Sequence, residues 1–175
     1  MSDGQCLKRG TDSMILNGGK LGVSMSKLLR RAKTKLNNAN NSFQKIAEDD
    51  AYADDCCYNL QQCIEFTLKY LIEINGSRYV ENHDIRAQLN LLKKIGVSVP
   101  MEKDLRLFAA TLNSWEAESR YNDNFVSLEE DMQDAFSIAN ALVSFADTAV
   151  TQKKLEKMDS FSSERLKQRS MANSD

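Results

Sequence analysis

The stretch that most constrains the fold is residues 56–83, in which an apolar and a polar stripe run in parallel at helical spacing. The members of the apolar stripe recur at steps of three and four: Cys56, Leu60, Cys63, Ile64, Thr67, Leu68, Leu71 and Ile74. That spacing places them on one broad face of an α-helix, which is the face expected to be buried. The other side of the same helix carries Gln61, Gln62, Glu65 and Lys69, and this polar stripe is either a binding site or a solvated surface.

Other parts of the chain repeat the helical pattern. Apolar residues at steps of three and four also occupy residues 25–46, 85–95, 105–115 and 128–150. Only one proline and seven glycines occur in 175 residues, so strand and turn signals are few. The sequence therefore predicts an all-α fold, an up-down bundle of about five helices in which only the third is short. The predicted organisation is a disordered leader at 1–23, the bundle at 24–155 and a polar tail at 156–175, with flexible termini. The fifth helix is expected to fray beyond about residue 155.

Charge is nearly balanced over the whole chain, with 23 lysine and arginine residues against 25 acidic residues. A net charge near −2 provides no general attraction to nucleic acid, so any such contact needs a local basic patch. The first predicted helix has one, consisting of Lys27, Arg30, Arg31, Lys33 and Lys35. This patch could bind phosphates, or it could be an ordinary solvated helix face.

Membrane and metal signals are absent from the sequence. No segment approaches the roughly 18 consecutive apolar residues of a membrane span, and the first residues lack the apolar core of a signal peptide. We therefore expect a cytoplasmic protein. Cys56, Cys57 and Cys63 lie in one predicted helix. We expect them to be buried as small hydrophobic residues rather than to bind a metal. One histidine and no Cys-x-x-Cys pair predict no metal site, and no cofactor is expected.

Several short elements together resemble a known family. They are residues 58–69, then Gly76, then His83-Asp84-Ile85 before the third helix, and Arg120-Tyr121 before the last. This arrangement over residues 25–150 is similar to the HEPN domain (higher eukaryotes and prokaryotes nucleotide-binding), although Asn122 stands where the family has proline. The resemblance implies a helical domain that forms homodimers, in some relatives within toxin-antitoxin-like systems.

Catalytic relatives in this family cut RNA with an arginine that is followed four to six residues later by a histidine, before the last long helix. Arg120 stands in that region, but no histidine follows it. Arg78 and His83 have the spacing but lie between helices 2 and 3, so we interpret this match as accidental. The resemblance therefore favours non-catalytic members that bind a nucleotide or a nucleotidyltransferase-like partner protein. Two alternatives stay open: a metal-independent endoribonuclease that uses His83 with Arg78 or Arg120, and a purely structural dimerisation module.

Candidate binding residues follow from what a nucleotide requires. Phosphates bind arginine and lysine, and a base stacks on an aromatic ring. The predicted nucleotide-binding residues are Lys69, His83, Arg120 and Tyr121, supported by Gln62 and Glu65 of the polar stripe. RNA is a further candidate ligand. Each residue also has a structural interpretation, in which Lys69 only pairs with Glu65, Arg120 clamps a carboxylate of helix 2, His83 organises its loop and Tyr121 fills the core.

Overall fold

A computed structural model describes residues 26–122 and 125–172, with residues 153, 154 and 156–172 described by their backbone. This part of the chain forms five α-helices and contains no strand. They are α1 (Lys27–Phe43), α2 (Ala51–Ile74), α3 (Ile85–Lys94), α4 (Glu102–Tyr121) and α5 (Glu129–Ala172). The predicted all-α bundle is confirmed, and α3 is its one short helix. The predicted leader lies outside the described residues.

Helix α2 is the centre of the bundle, since all four other helices pack against it. Every residue from Asn59 to Ile72 except Phe66 is buried. An amphipathic helix with one exposed side would not be covered in this way, so the alternative in which the polar stripe is a solvated surface is wrong. The reason is that the neighbouring helices cover the polar side of α2 as well as the apolar side.

The apolar stripes form one core, as the sequence predicts. Its members from α1, α2, α4 and α5 include Leu29, Ala32, Leu60, Ile64, Leu68, Leu112, Trp115, Ala135, Ala139 and Leu142. Alanines on α1 and α5 let these helices approach α2 closely, while its leucines and isoleucine fill the space between them. Burying each of those larger side chains stabilises the fold by roughly 1.5–3 kcal/mol.

The three cysteines of α2 are buried and form no disulfide. Burial raises the pKa of Cys56, Cys57 and Cys63 to about 12, because the thiolate would lose its hydration. A neutral thiol in a packed core behaves as a small hydrophobic residue. The prediction of a packing role is therefore supported, and it includes Cys57 because α2 is enclosed on more than one side.

Helix α5 is longer than the sequence analysis predicts. It continues to Ala172, so the end expected near residue 155 is wrong for the helix. Residues 151–172 contain no glycine or proline, and 15 of these 22 residues are alanine, leucine, methionine, lysine, arginine, glutamate or glutamine, which have high helix propensity. In the described part of the chain, no helix is both long enough and apolar enough to span a membrane.

Candidate functional site

Glu65 is the centre of a buried polar network on α2. Its side chain is fully buried, and both carboxylate oxygens accept hydrogen bonds. Lys69 Nζ lies 2.7 Å from Glu65 Oε1, and Gln61 Nε2 lies 2.9 Å from Glu65 Oε2. Gln62 extends the network by donating to Gln61 Oε1 at 2.8 Å. These contacts satisfy a charge that would otherwise be costly to bury.

His83 reaches the same carboxylate from the loop between α2 and α3. Its Nδ1 lies 3.0 Å from Glu65 Oε2, and since an ionised carboxylate only accepts, the ring nitrogen donates. The imidazole is still 59% exposed, so its other edge faces solvent. Tyr79 of the same loop places its ring 5.4 Å from Lys69 Nζ. The loop therefore closes one end of the network, and His83 is the member that solvent can reach.

Arg120 and Tyr121 belong to a second group, at the end of α4. The Arg120 guanidinium binds the Glu116 carboxylate and backbone carbonyl within its own helix. It also lies over two aromatic rings, with its Cζ 5.2 Å from the Tyr58 centroid and 5.1 Å from that of Tyr121. Tyr121 is 78% exposed. The interpretation of Arg120 as a clamp on an α2 carboxylate is wrong, because its carboxylate partner lies on α4. Core filling by Tyr121 is wrong as well.

Tyr58 is the residue on which basic side chains of α1 and α4 converge. Lys35 Nζ of α1 lies 4.4 Å from the Tyr58 centroid, on the ring that Arg120 also covers. Lys35 also donates to Asn59 Oδ1 at 3.0 Å. Partial burial lowers the pKa of Lys35, and the nearby charge of Asp55 opposes that effect. Two cations from different helices thus lie within 6 Å of one ring centroid.

A basic groove runs from this ring along α1, with a volume of about 520 Å³. It is lined by Lys27, Arg30, Arg31, Thr34, Lys35, Tyr58, Gln62 and Phe66. Arg31 lies over the Phe66 ring, 5.7 Å from its centroid. Lys33 is absent from the lining and instead forms an ion pair with Asp147 of α5 at 2.7 Å. The basic patch predicted on the first helix is therefore divided, since four of its five residues line the groove and Lys33 does not.

Gln62 connects the groove to the buried network, because it lines the groove and donates to Gln61. The predicted residues therefore fall into two groups. Glu65, Lys69 and His83 are in direct contact, and Arg120 and Tyr121 form the other group. Lys69 is 7% exposed and engaged with Glu65, so its ammonium lies under the surface.

Tyr58 is the residue that the sequence analysis missed. It precedes Gln62 by four residues, so helical spacing alone would have placed it on the polar stripe. Its partners Lys35 and Arg120 belong to helices distant in sequence, and only packing brings them to the ring. Arg78 and His83, which have the ribonuclease-like spacing, bind different partners. Arg78 pairs with Glu81 at 2.6 Å, and His83 with Glu65.

A comparison with protein-family models matches residues 25–149 to the HEPN domain, which covers more than half of the chain. Comparisons with curated proteins and with solved structures found no match.

Proposed function

Because this chain belongs to the HEPN domain family, we propose that it is a non-catalytic module that binds a nucleotide in the basic groove between α1 and α2. The observation that carries the proposal is the convergence of Lys35 and Arg120 on the Tyr58 ring. Two cations at one aromatic ring offer charge-assisted donors to a single phosphate group, in addition to the carboxylates of Glu116 and Asp55 that already lie near them.

The phosphates of the ligand bind along α1. Arg30 and Arg31 line the groove together with Lys35, and their planar guanidinium groups match the geometry of phosphate oxygens. An anion stabilises Lys35, because its ammonium is partly removed from water and burial lowers its pKa. The groove therefore accepts a ligand with one or more phosphates.

The base of the nucleotide stacks on Tyr121. This ring is 78% exposed at the end of α4, next to the Arg120 guanidinium. Stacking of a base on an aromatic side chain contributes roughly 1–3 kcal/mol and tolerates any base. The proposed ligand contacts are thus Arg120 and Tyr121 together with Lys35 and the α1 arginines.

The buried network has a supporting role in this proposal. Gln62 is held by Gln61, which in turn binds Glu65, so the floor of the groove is fixed by hydrogen bonds. Lys69 neutralises Glu65 and stabilises that arrangement without binding phosphate itself. His83 places its exposed edge at the solvent side of the network. Homodimer formation and a nucleotidyltransferase-like partner stay predictions from the family.

Equilibrium binding of fluorescent ATP and of a short single-stranded RNA tests the proposal. We expect Lys35→Ala and Arg120→Ala each to weaken binding about tenfold or more, because a charge-assisted contact contributes about 1.5–3 kcal/mol. Lys33→Ala is the matched control, since it removes the same charge from the same helix but outside the groove. Circular dichroism of each variant checks that it is folded.

Equal weakening by Lys33→Ala would show that only net charge matters and would contradict the groove. Wild-type protein that cleaves RNA, with cleavage lost in a folded His83→Ala variant, would replace the proposal with the endoribonuclease alternative. If the protein binds neither probe with a Kd below about 1 mM, the alternative of a structural dimerisation module would replace the proposal.

A further inference from the structure

A second concave site lies at the other end of α1. It is a cavity of about 770 Å³ between the α1–α2 connection and the segment that precedes α5. Its apolar walls include Phe43, Ile46, Phe125 and Met132. The volume is within the range of roughly 300–1,000 Å³ that is typical of ligand sites. Its chemistry differs from that of the basic groove, because no lysine, arginine or histidine lines it.

Three carboxylates lie at this acidic pocket: Asp50, Asp54 and Glu129. Among the residues that the structure describes, no salt bridge forms to any of them. Burial raises the pKa of Asp54, and the neighbouring charges of Asp50 and Asp55 raise it further. Like charges beside an apolar wall favour a cation and disfavour a phosphate. The acidic pocket therefore fits a ligand that is apolar and positively charged.

Apolar surface continues outward from the acidic pocket. The lining residue Val126 is 81% exposed, and Leu128, which lies outside the lining next to Ser127, is 62% exposed. A small organic cation inside the cavity would leave Leu128 uncovered, whereas an extended peptide would cover both Val126 and Leu128. Exposed apolar surface that adjoins a pocket is typical of sites where another protein docks.

We propose that the acidic pocket docks a short peptide segment of a partner protein, in which a bulky apolar side chain is flanked by lysine or arginine. The apolar side chain enters the cavity between Phe43 and Phe125, and the basic side chain binds at Asp50 and Asp54. This interaction is separate from nucleotide binding, because it uses a different end of α1 and the opposite charge.

Fluorescence anisotropy with the full chain tests this assignment. The probe is a labelled peptide of sequence Ser-Lys-Leu-Phe-Lys-Ser, and its matched control has glutamate at both lysine positions. We expect saturable binding of the basic peptide and none of the acidic one. The double variant Asp50→Asn/Asp54→Asn should weaken binding roughly tenfold, as two partly screened ion pairs are lost. Val126→Ser should also weaken it.

The control for net charge is Asp104→Asn/Asp134→Asn, because these carboxylates lie in a separate hollow between α4 and α5. It should leave the peptide affinity unchanged. Equal weakening by both double variants would overturn the proposal, as would equal binding of the two peptides. Dissociation of a self-associated form of the protein by the basic peptide, seen in sedimentation velocity, would assign the pocket to a second copy of the chain instead. Absence of saturable binding would also overturn it.

Discussion

Two ion pairs in neighbouring parts of this chain have nearly the same distance between their charged atoms, but one is buried and the other is exposed to solvent. Glu65 and Lys69 of α2 lie 2.7 Å apart with side chains 1% and 9% exposed. Arg78 and Glu81 of the following loop lie 2.6 Å apart with side chains 86% and 69% exposed. Helical spacing predicts that Glu65 and Lys69 can pair, whereas the pair of Arg78 and Glu81 depends on the path of the loop. Only burial decides whether losing one partner matters.

The two pairs differ in the free energy of the charge that remains when its partner is removed. An exposed charge that loses its partner regains water, so exposed pairs contribute little. A buried charge cannot, and it stays desolvated in a medium of low dielectric constant. Glu65 is such a buried charge, and Lys69, Gln61 and His83 all bind its carboxylate.

The largest expected effect is that of removing the buried carboxylate. Glu65→Leu leaves the Lys69 ammonium in the protein interior without an anion, and we expect it to lower the free energy of unfolding by about 3–5 kcal/mol. Urea denaturation followed by circular dichroism measures this loss. Gln61 and His83 lose an acceptor as well, which adds to the effect.

The control for this experiment is the double variant Glu65→Leu/Lys69→Met. It removes both charges and replaces them with apolar side chains of similar size, so most of the lost stability should return. A single variant that loses less than about 1 kcal/mol would show that the site admits water and that the two ion pairs do not differ as described.

An intermediate effect is expected at the exposed end of the network. His83→Ala removes one hydrogen bond to Glu65, but water can replace a ring that is 59% exposed. We therefore expect a loss of about 1 kcal/mol or less in the free energy of unfolding. His83→Gln keeps a donor and should lose less than His83→Ala. A loss as large as that of Glu65→Leu would mean that His83, rather than Lys69, is the main partner of the carboxylate.

The smallest effect is expected for the loop pair. Arg78→Ala should leave the melting temperature at neutral pH unchanged, since both partners are solvated. The hydrogen bond and charge of Arg78 lower the pKa of Glu81, so any stabilisation is present above the ordinary glutamate pKa and is lost as the pH falls through the lowered one. Thermal scans of wild type and variant at neutral and acidic pH check both statements. A shift at neutral pH as large as that of His83→Ala would contradict them.

The helices were predictable because their signals are local. The apolar stripe from Cys56 to Ile74 and the scarcity of proline and glycine require only helical periodicity to interpret. The end of α5 at Ala172 is harder to predict, because residues 156–172 are mostly polar, which marks the end of the bundle but not the end of the helix. A helix can extend beyond the core that it helps to form.

Less of the candidate site could be predicted. The spacing of Glu65 and Lys69 shows that they can pair, and the basic character of α1 is visible in Lys27 to Lys35. The position of Arg120 over the Tyr58 ring is not visible in the sequence. Those residues are far apart in sequence and meet only because α4 packs on α2. The same applies to His83, whose contact with Glu65 depends on the path of a loop.

The sequence by itself determined that α2 is a helix and that Gln61, Gln62, Glu65 and Lys69 share one side of it, because backbone geometry fixes the direction of each side chain along a helix. The tertiary structure decided that this side is interior. Burial depends on which other helices pack against it. Those helices are distant in sequence, and a local pattern does not show which of them will meet. The same residues are a solvated surface on an isolated helix and a hydrogen-bonded network inside the bundle.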